Sequence, residues 1–250
     1  MIQTFMKDPV ANTLAIIVLV ALVISWIVSL AIILKDNPVH AAKSWHNKLL
    51  PIFALLGIPA ALDLLQTNGL TLFLAIIVTI AIILNIVMPL LRLAEKSPHP
   101  FVEDWYKWAV PVISIGGLAV AGYLAFVEAA NASPICGPVG DCGSVQNSKY
   151  AILFGILPIG ILGLAGYIAI LAAWLVRQFG SDSLKKWSDL AIWGFCIFGV
   201  LFSTYLTFLE PFVIGATCMW CITSAVFMIL LLWVSTPPAQ QALTIPENDD

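Results

Sequence analysis

Residues 218–234 combine two cysteines with an apolar run, and they read CMWCITSAVFMILLLWV. The run carries no charged residue and is long enough for a helix that crosses a bilayer. Cys218 and Cys221 have the spacing C-x2-C, which places both sulfurs on about one turn at the start of this helix. The segment therefore predicts a pair of thiols at one face of a membrane.

A second pair, Cys136 and Cys142, lies in a polar loop with the spacing C-x5-C. A thiolate exchanges with a disulfide through a mixed disulfide, and the N-terminus of a helix stabilises a thiolate. We therefore expect Cys218 to exchange with the loop pair. Cys221, one turn deeper, would face a hydrophobic electron acceptor, and an acceptor reached from inside a bilayer suggests a quinone. The fifth cysteine, Cys196, is interpreted as a small buried apolar residue.

The composition excludes a soluble domain. The chain has 250 residues, of which 61% are hydrophobic and only 10% are charged, and the mean hydropathy is +1.00. These values predict an all-α integral membrane protein, because helices satisfy their own backbone groups in lipid. A net charge of −3 provides no basic face, so no nucleic acid partner is expected.

Seven apolar runs are candidate membrane spans. The second is the weakest, because it is short and carries Pro51, Pro59 and Asp63. The first is too long for a signal-peptide core and is interpreted as a retained span. The predicted spans are approximately 10–34, 49–66, 70–91, 108–130, 150–176, 188–209 and 218–234.

The distribution of basic residues predicts the orientation. With seven spans, nine of the 11 Lys and Arg residues fall in one set of loops, and only Lys7 and Lys149 fall in the other. Basic loops are retained in the cytoplasm. Both cysteine pairs would then lie on the extracytoplasmic side, where disulfides persist.

The chain divides at a turn-rich linker near residues 93–107. Residues 1–100 form a transmembrane region of about three helices with no assigned role. Residues 101–235 hold four spans and all five cysteines. Residues 236–250 are predicted to be a disordered cytoplasmic tail, because Pro237-Pro238 interrupts a helix and the end is acidic.

The order of these features resembles the vitamin K epoxide reductase family in its bacterial form. The resemblance covers about residues 105–235 and is carried by a loop, a glycine-rich helix and the C-x2-C segment. The family folds as a four-helix bundle around a quinone. Its bacterial members oxidise a thioredoxin-like partner and so drive disulfide formation in secreted proteins. The two matching runs are CGPVGDCGSVQNS, residues 136–148, and YLTFLEPFVIGATCMWC, residues 205–221.

The resemblance implies a role for each matching residue. Cys218 and Cys221 correspond to the active-site pair beside the quinone, which would be of the menaquinone or ubiquinone type. Cys142 corresponds to the loop cysteine that attacks the first of these. Cys136 corresponds to the cysteine that exchanges with the partner, and Ser148 to a polar residue near the quinone head group.

Three further residues have two interpretations each. Trp220 would either stack on the quinone ring or anchor the helix at the membrane interface. Glu210 and Glu128 would either be helix-end residues in contact with water or relay the protons that quinone reduction consumes.

The chain departs from the family pattern in places. Many bacterial members have Pro at the position of Met219, and many carry a fused thioredoxin-like domain. This sequence ends at Asp250, so we expect a separate extracytoplasmic thioredoxin-like protein as partner, at a bacterial cytoplasmic membrane. The asparagine that vertebrate members place by the quinone has no clear counterpart, so epoxide reduction is not expected.

There are three alternatives: another enzyme of the same class, a non-enzymatic scaffold, and a transporter, which the few intramembrane charges and the lack of broken-helix pairs disfavour. The DsbB type of quinone reductase also has four helices and two cysteine pairs, but there the C-x2-C pair comes first in the sequence. A non-enzymatic membrane scaffold would use the four cysteines as a zinc site or as structural disulfides. We expect no metal in the favoured interpretation.

Overall fold

The computed structural model describes residues 8–34, 105–130, 132–136 and 140–244. These ranges contain five helices that are long and apolar enough to cross a membrane. They correspond to the predicted spans 10–34, 108–130, 150–176, 188–209 and 218–234, which confirms the all-α membrane fold. The other two predicted spans, 49–66 and 70–91, lie outside the described residues.

The described elements are six helices, one π-helical segment and a small hairpin. The π-helical segment, Glu210–Ile214, continues directly from α5. In chain order the other elements are α1 Pro9–Ile33, α2 Trp105–Ala130, α3 Cys142–Gln146, β1 Ile152–Leu153, β2 Leu157–Pro158, α4 Ile159–Phe179, α5 Asp182–Leu209 and α6 Met219–Thr244.

Helices α2, α4, α5 and α6 form a four-helix bundle. Helix α6 packs against α5 and α2, and α4 packs against the same two helices from the other side. Helix α1 lies outside this bundle, against α5 and α6. As a result, 83% of the α6 span is buried, compared with 17% of the α4 span. The helix that begins beside Cys218 is therefore the centre of the fold.

Helix α1 faces the bundle with one continuous stripe. Along this stripe the steps alternate between four and three residues, which is the spacing of a coiled-coil seam. Asn12, Leu14 and Ala21, beside the stripe, are buried as well. Two serines on this stripe bind α6 directly: Ser25 Oγ accepts a hydrogen bond from Trp233 Nε1 at 3.1 Å, and Ser29 Oγ lies 2.8 Å from Thr236 Oγ1. The buried stripe consists of Ala11, Ala15, Val18, Leu22, Ser25, Ser29 and Ile32.

The predicted start of the fifth span, residue 150, is wrong by nine residues. Strands β1 and β2 pair antiparallel there, and α4 begins only at Ile159. Phe154 and Gly155 have φ values of 53° and 72°, and Ile156 N–H donates to Leu153 O at 3.2 Å. Two successive positive φ values define the type I′ turn of a tight hairpin, which apolar composition does not reveal.

The predicted disordered tail is wrong over residues 236–244, because α6 continues through Pro237 and Pro238 to Thr244. Ser235 and Thr236 are buried, and both hydroxyls donate to Leu232 O. The Gln240 side-chain amide donates to Ile32 O at the end of α1. Packing against α1 and hydroxyl hydrogen bonds thus stabilise a helix that the proline pair alone would interrupt. Residues 245–250 lie outside the described ranges.

Candidate active site

The loop pair forms a disulfide. Cys136 and Cys142 are bonded to each other, with their Cα atoms 5.7 Å apart. Cys142 is fully buried, whereas Cys136 is half-buried. Asp141 caps the short helix α3 by accepting the Ser144 N–H at 2.9 Å, and hydrogen bonds from Ser144 lower the pKa of this carboxyl. The disulfide therefore sits on a locally fixed backbone with one sulfur more accessible than the other.

This loop docks on the residue that precedes the C-x2-C pair. Asp141 N–H donates to Thr217 O at 3.0 Å. Gly140 has a φ of +89°, and a Cβ there would lie only 2.5 Å from Thr217 O. Only glycine combines that backbone conformation with so close an approach. Cys142 and Cys218 each follow one of these hydrogen-bonded residues, so the two pairs occupy adjacent segments.

Cys218 and Cys221 are unpaired thiols. Cys218 is buried between two spans, just before α6 begins. A hydrogen bond from the Cys221 thiol is the largest cause of a lowered pKa at Cys218. Burial opposes this shift, and the N–H groups of Cys221 and Trp220 support it. A lowered pKa makes Cys218 a good leaving thiolate in disulfide exchange, and the supporting N–H groups are those that the start of a helix provides.

An apolar cavity of about 120 Å³ opens beside Cys221, between α2, α4, α5 and α6. One water molecule needs roughly 10–15 Å³ of such space, so the cavity has room for a larger group. Cys221 lines it, and so does Ser148. The loop disulfide and Cys218 do not line it. This places Cys221 between the exchanging sulfurs and the cavity.

Three buried polar atoms at this cavity have no hydrogen-bond partner among the described residues. They are Gln146 Oε1, Ser148 Oγ and Glu210 Oε1, and all three residues line the cavity. Buried polar atoms are nearly always satisfied, so a cluster of unsatisfied ones indicates a site for a polar ligand group. An apolar cavity with these polar atoms fits a quinone: Ser148 Oγ can donate to a quinone carbonyl oxygen, and the Gln146 and Glu210 oxygens can accept from the hydroxyls of the reduced form.

Glu210 is buried away from bulk solvent. Only 1% of it is exposed, so the interpretation as a wetted helix-end residue is wrong. Pro211 has no N–H, and the backbone widens here into the π-helical segment, in which Gly215 N–H bonds Glu210 O at 2.7 Å. The carboxyl accepts the Cys218 N–H at 3.3 Å and also has the Cys221 thiol as a neighbour.

Glu128 also lines the cavity, but both its oxygens have a partner. They accept the Gly160 N–H at 3.2 and 3.0 Å, at the start of α4. The Glu128 carboxylate thus satisfies one of the free N–H groups of a helix N-terminus.

Trp220 faces away from the cavity. Its ring centroid lies 4.2 Å from that of Tyr123, and its Nε1 donates to Ile135 O at 2.8 Å. The indole is 4% exposed and is not part of the cavity lining. Successive residues of a helix are about 100° apart around its axis. Trp220 therefore lies on a different face of α6 from Cys221, which lines the cavity.

Sequence reasoning missed three groups at this site. Gln146 lies in the quoted loop run, two residues before Ser148, and its polarity was the signal. Asp8 and Asn12 lie at the start of the first span, far from the cysteines in the sequence. Asp8 Oδ2 accepts the Gly140 N–H at 2.8 Å, and Asn12 Oδ1 accepts the Thr217 hydroxyl at 2.9 Å.

The structure also bears on the fifth cysteine and on the alternative of a zinc site. Cys196 is fully buried in α5, as predicted. Because Cys136 and Cys142 are bonded to each other, the four cysteines do not form a zinc site here. Among the described residues, no group of three or more His, Cys, Asp or Glu side chains is placed to hold a metal ion.

The fold and the site define a membrane helical bundle in which the segments of two cysteine pairs are adjacent and one cysteine lines an apolar cavity. Residues 108–236, half of the chain, match the sequence model of the Vitamin K epoxide reductase family. The chain therefore belongs to that family, as the resemblance implied.

One curated relative is the thiol-disulfide oxidoreductase LTO1 of Arabidopsis thaliana, which is 28% identical over 121 residues. The match covers 45% of this chain and 31% of that protein, so the chain spans about a third of the relative's length. No solved structure matches the chain.

Proposed function

We propose that the protein is a quinone-dependent thiol-disulfide oxidoreductase. It takes electrons from a separate extracytoplasmic thioredoxin-like protein at a bacterial cytoplasmic membrane and so supports disulfide formation. One observation carries the proposal: Cys221 lies between a docked disulfide loop and an apolar cavity with three unsatisfied polar atoms. The name of the Arabidopsis relative supports the same class of reaction.

The relay consists of three exchanges. The dithiol of the partner reduces the Cys136–Cys142 disulfide and becomes a disulfide itself. The Cys142 thiolate then attacks Cys218 of an oxidised Cys218–Cys221 pair. A Cys142–Cys218 disulfide forms, and Cys221 leaves as a thiolate that takes up a proton. The Cys136 thiolate attacks Cys142, which restores the loop disulfide and releases Cys218. The outcome, a loop disulfide beside two free thiols, is the state seen in the structure.

The accessibility of the sulfurs supports this order. Cys136 is half-buried and Cys142 is fully buried, so a docking protein reaches Cys136 first. Cys218 is buried behind the same loop, which favours exchange within the chain over exchange with the partner.

A bound quinone of the menaquinone or ubiquinone type would accept two electrons and two protons from the Cys218–Cys221 dithiol and leave a disulfide. Ser148 Oγ would donate to a quinone carbonyl oxygen, and Gln146 Oε1 would accept from a hydroxyl of the reduced quinone. The apolar walls, which include Phe198 and Phe202 of α5, are suited to the ring and to an isoprenoid tail.

Glu210 is the group best placed to carry a proton from the thiols to the cavity. Its carboxyl neighbours Cys221 and bonds the Cys218 N–H, while Oε1 has no partner among the described residues. Glu128 is a poorer candidate, because both its oxygens bind Gly160 N–H.

The test is quinone reduction by purified full-length protein with two electron donors, a reduced thioredoxin-like protein and dithiothreitol. Cys221→Ser should abolish quinone reduction with both donors, because no dithiol remains next to the cavity. Cys136→Ser should block the protein donor but leave dithiothreitol able to reduce the Cys218–Cys221 pair directly. The measurement is the change in quinone absorbance with time.

Cys196→Ala is the control, since Cys196 is a buried thiol in α5 that does not line the cavity. It should leave turnover with both donors unchanged. Turnover that survives in Cys221→Ser would exclude the proposed function, and an equal loss with both donors in Cys136→Ser would exclude the relay order.

A further inference from the structure

We propose that helix α1, which lies outside the region matched to the family, positions the two cysteine pairs for exchange through Asp8 and Asn12. The inference rests on the proposed relay, because it concerns the contact between Cys142 and Cys218. It gives a role to part of the N-terminal region, for which the sequence predicted none.

Asp8 connects α1 to the disulfide loop. Its Oδ1 accepts the Ala11 N–H at 3.1 Å and caps the helix, while its Oδ2 accepts the Gly140 N–H at 2.8 Å. One carboxyl group therefore binds the start of α1 and the residue two positions before Cys142. The loop is held at a fixed point of the bundle, because the buried stripe of α1 packs along α6.

Asn12, one turn further along α1, connects the helix to the other pair. Its Oδ1 accepts the Thr217 hydroxyl at 2.9 Å, and both residues are fully buried. Thr217 directly precedes Cys218, and its carbonyl oxygen accepts the Asp141 N–H from the loop. The three contacts form a closed triangle of α1, the loop and the Thr217 segment.

This triangle controls geometry rather than chemistry, so Asp8 and Asn12 are positioning residues. Disulfide exchange requires the attacking sulfur to approach the bonded sulfur closely, and a misplacement of about 1 Å can cost on the order of a hundredfold in rate. Without the contacts of Asp8 and Asn12, the hydrogen bond from Asp141 N–H to Thr217 O would be the contact left among those described here to hold the loop against the Thr217 segment.

The test uses the full chain with Cys136→Ser and Cys221→Ser, which leaves Cys142 and Cys218 as the reacting thiols. Diamide is added, and the Cys142–Cys218 disulfide is followed by mass spectrometry of non-reduced digests. Adding Asp8→Ala and Asn12→Ala should slow its formation about tenfold or more. Thr13→Ala, an exposed position on the same helix, should leave the rate unchanged.

Two further measurements separate positioning from a general loss of structure. Asp8→Asn keeps an oxygen that can accept the Gly140 N–H, so it should restore most of the rate that Asp8→Ala loses. With all native cysteines present, the Asp8→Ala, Asn12→Ala variant should still reduce quinone with dithiothreitol as donor, because that route bypasses the loop.

An unchanged cross-linking rate in the double alanine variant would overturn the proposal. So would an equal loss of the dithiothreitol-driven reaction, or an Asp8→Asn variant as slow as Asp8→Ala. Normal, α1-dependent cross-linking in a protein that reduces no quinone would reject the proposed function and still support the positioning role.

Discussion

A single buried carboxyl, Glu210, shows how local backbone geometry determines the surroundings of a side chain. In an ordinary α-helix that ended before Pro211, this residue would lie at a wet helix end. The π-helical segment and the packing of α6 enclose it instead, with the Cys218 N–H as a hydrogen-bond partner. Burial beside two thiols gives the carboxyl a defined neighbour for proton exchange, which an exposed glutamate lacks.

We predict that Glu210→Gln slows quinone reduction by dithiothreitol about a hundredfold, the usual contribution of one general acid or base. Gln keeps an oxygen for the Cys218 N–H but cannot exchange a proton. Glu128→Gln should have a much smaller effect on turnover, because Glu128 is occupied with the start of α4. The measurement is the initial rate of quinone reduction for both variants. A Glu210→Gln enzyme as fast as the wild type would remove the carboxyl from the mechanism.

Among the helices, α4 contains glycines with two different structural roles. This helix carries Gly160, Gly163 and Gly166, and glycines at such spacing often allow close helix approach in lipid. Gly160 does so, because a Cβ there would lie 2.6 Å from Ala125 N on α2. A Cβ at Gly166 would meet nothing within 4 Å, and Gly166 lines the cavity. The first glycine brings two helices together, and the last leaves space open.

Gly166→Leu should therefore weaken quinone binding without damaging the fold. The added side chain occupies cavity space, so the KM for quinone should rise about tenfold, equivalent to a loss of about 1.4 kcal/mol of binding. Folding should become slightly more stable, by up to about 1 kcal/mol, because glycine is a poor helix former. The measurements are the KM for quinone and the unfolding temperature in detergent.

Gly194→Leu is the matched control for this substitution. A Cβ at Gly194 also meets nothing within 4 Å, but Gly194 is exposed on α5 and does not line the cavity. It should show the same small gain in stability with an unchanged KM. Equal KM values for the Gly166→Leu and Gly194→Leu proteins would mean that quinone does not occupy this cavity.

The existence of the five described spans was predictable, because long apolar runs dominate every other signal in a membrane chain. The ends of these helices were not. The hairpin before α4 depends on positive φ values at Phe154 and Gly155, and the extension of α6 past Pro237 depends on its packing against α1. Both are consequences of conformation or tertiary contact that no local composition expresses.

At the site, too, some features were predictable from the sequence and others were not. The C-x2-C and C-x5-C spacings identified all four cysteines as one group, and the structure brings their segments together. The quinone assignment of Trp220 is not supported by its position, because a one-residue step around α6 turns it toward Tyr123. Asp8 and Asn12 were beyond reach, since they meet the loop and the Thr217 segment only through helix packing over more than 100 residues of chain.

In the complete bundle, the cysteine pairs and the start of α1 lie at one end, and the cavity extends from this end to the middle of α4 and α5. This end includes the finish of α2, where Glu128 bonds the start of α4. The opposite end holds the finish of α4 and the start of α5, where Arg177 pairs with Asp189 and Lys185 with Asp182. By the positive-inside rule, this distribution supports the proposal that the cysteine end faces the extracytoplasmic side.

We predict that a membrane-impermeant maleimide added to intact bacterial cells labels Ser133→Cys but not Ser183→Cys. Both serines are exposed, the first at the cysteine end and the second at the start of α5. Ser183→Cys should react only after the membrane is permeabilised, and wild-type protein measures the background from the five native cysteines. The reverse pattern would place the relay in the reducing cytoplasm, where the loop disulfide would not persist and an extracytoplasmic partner could not reach Cys136.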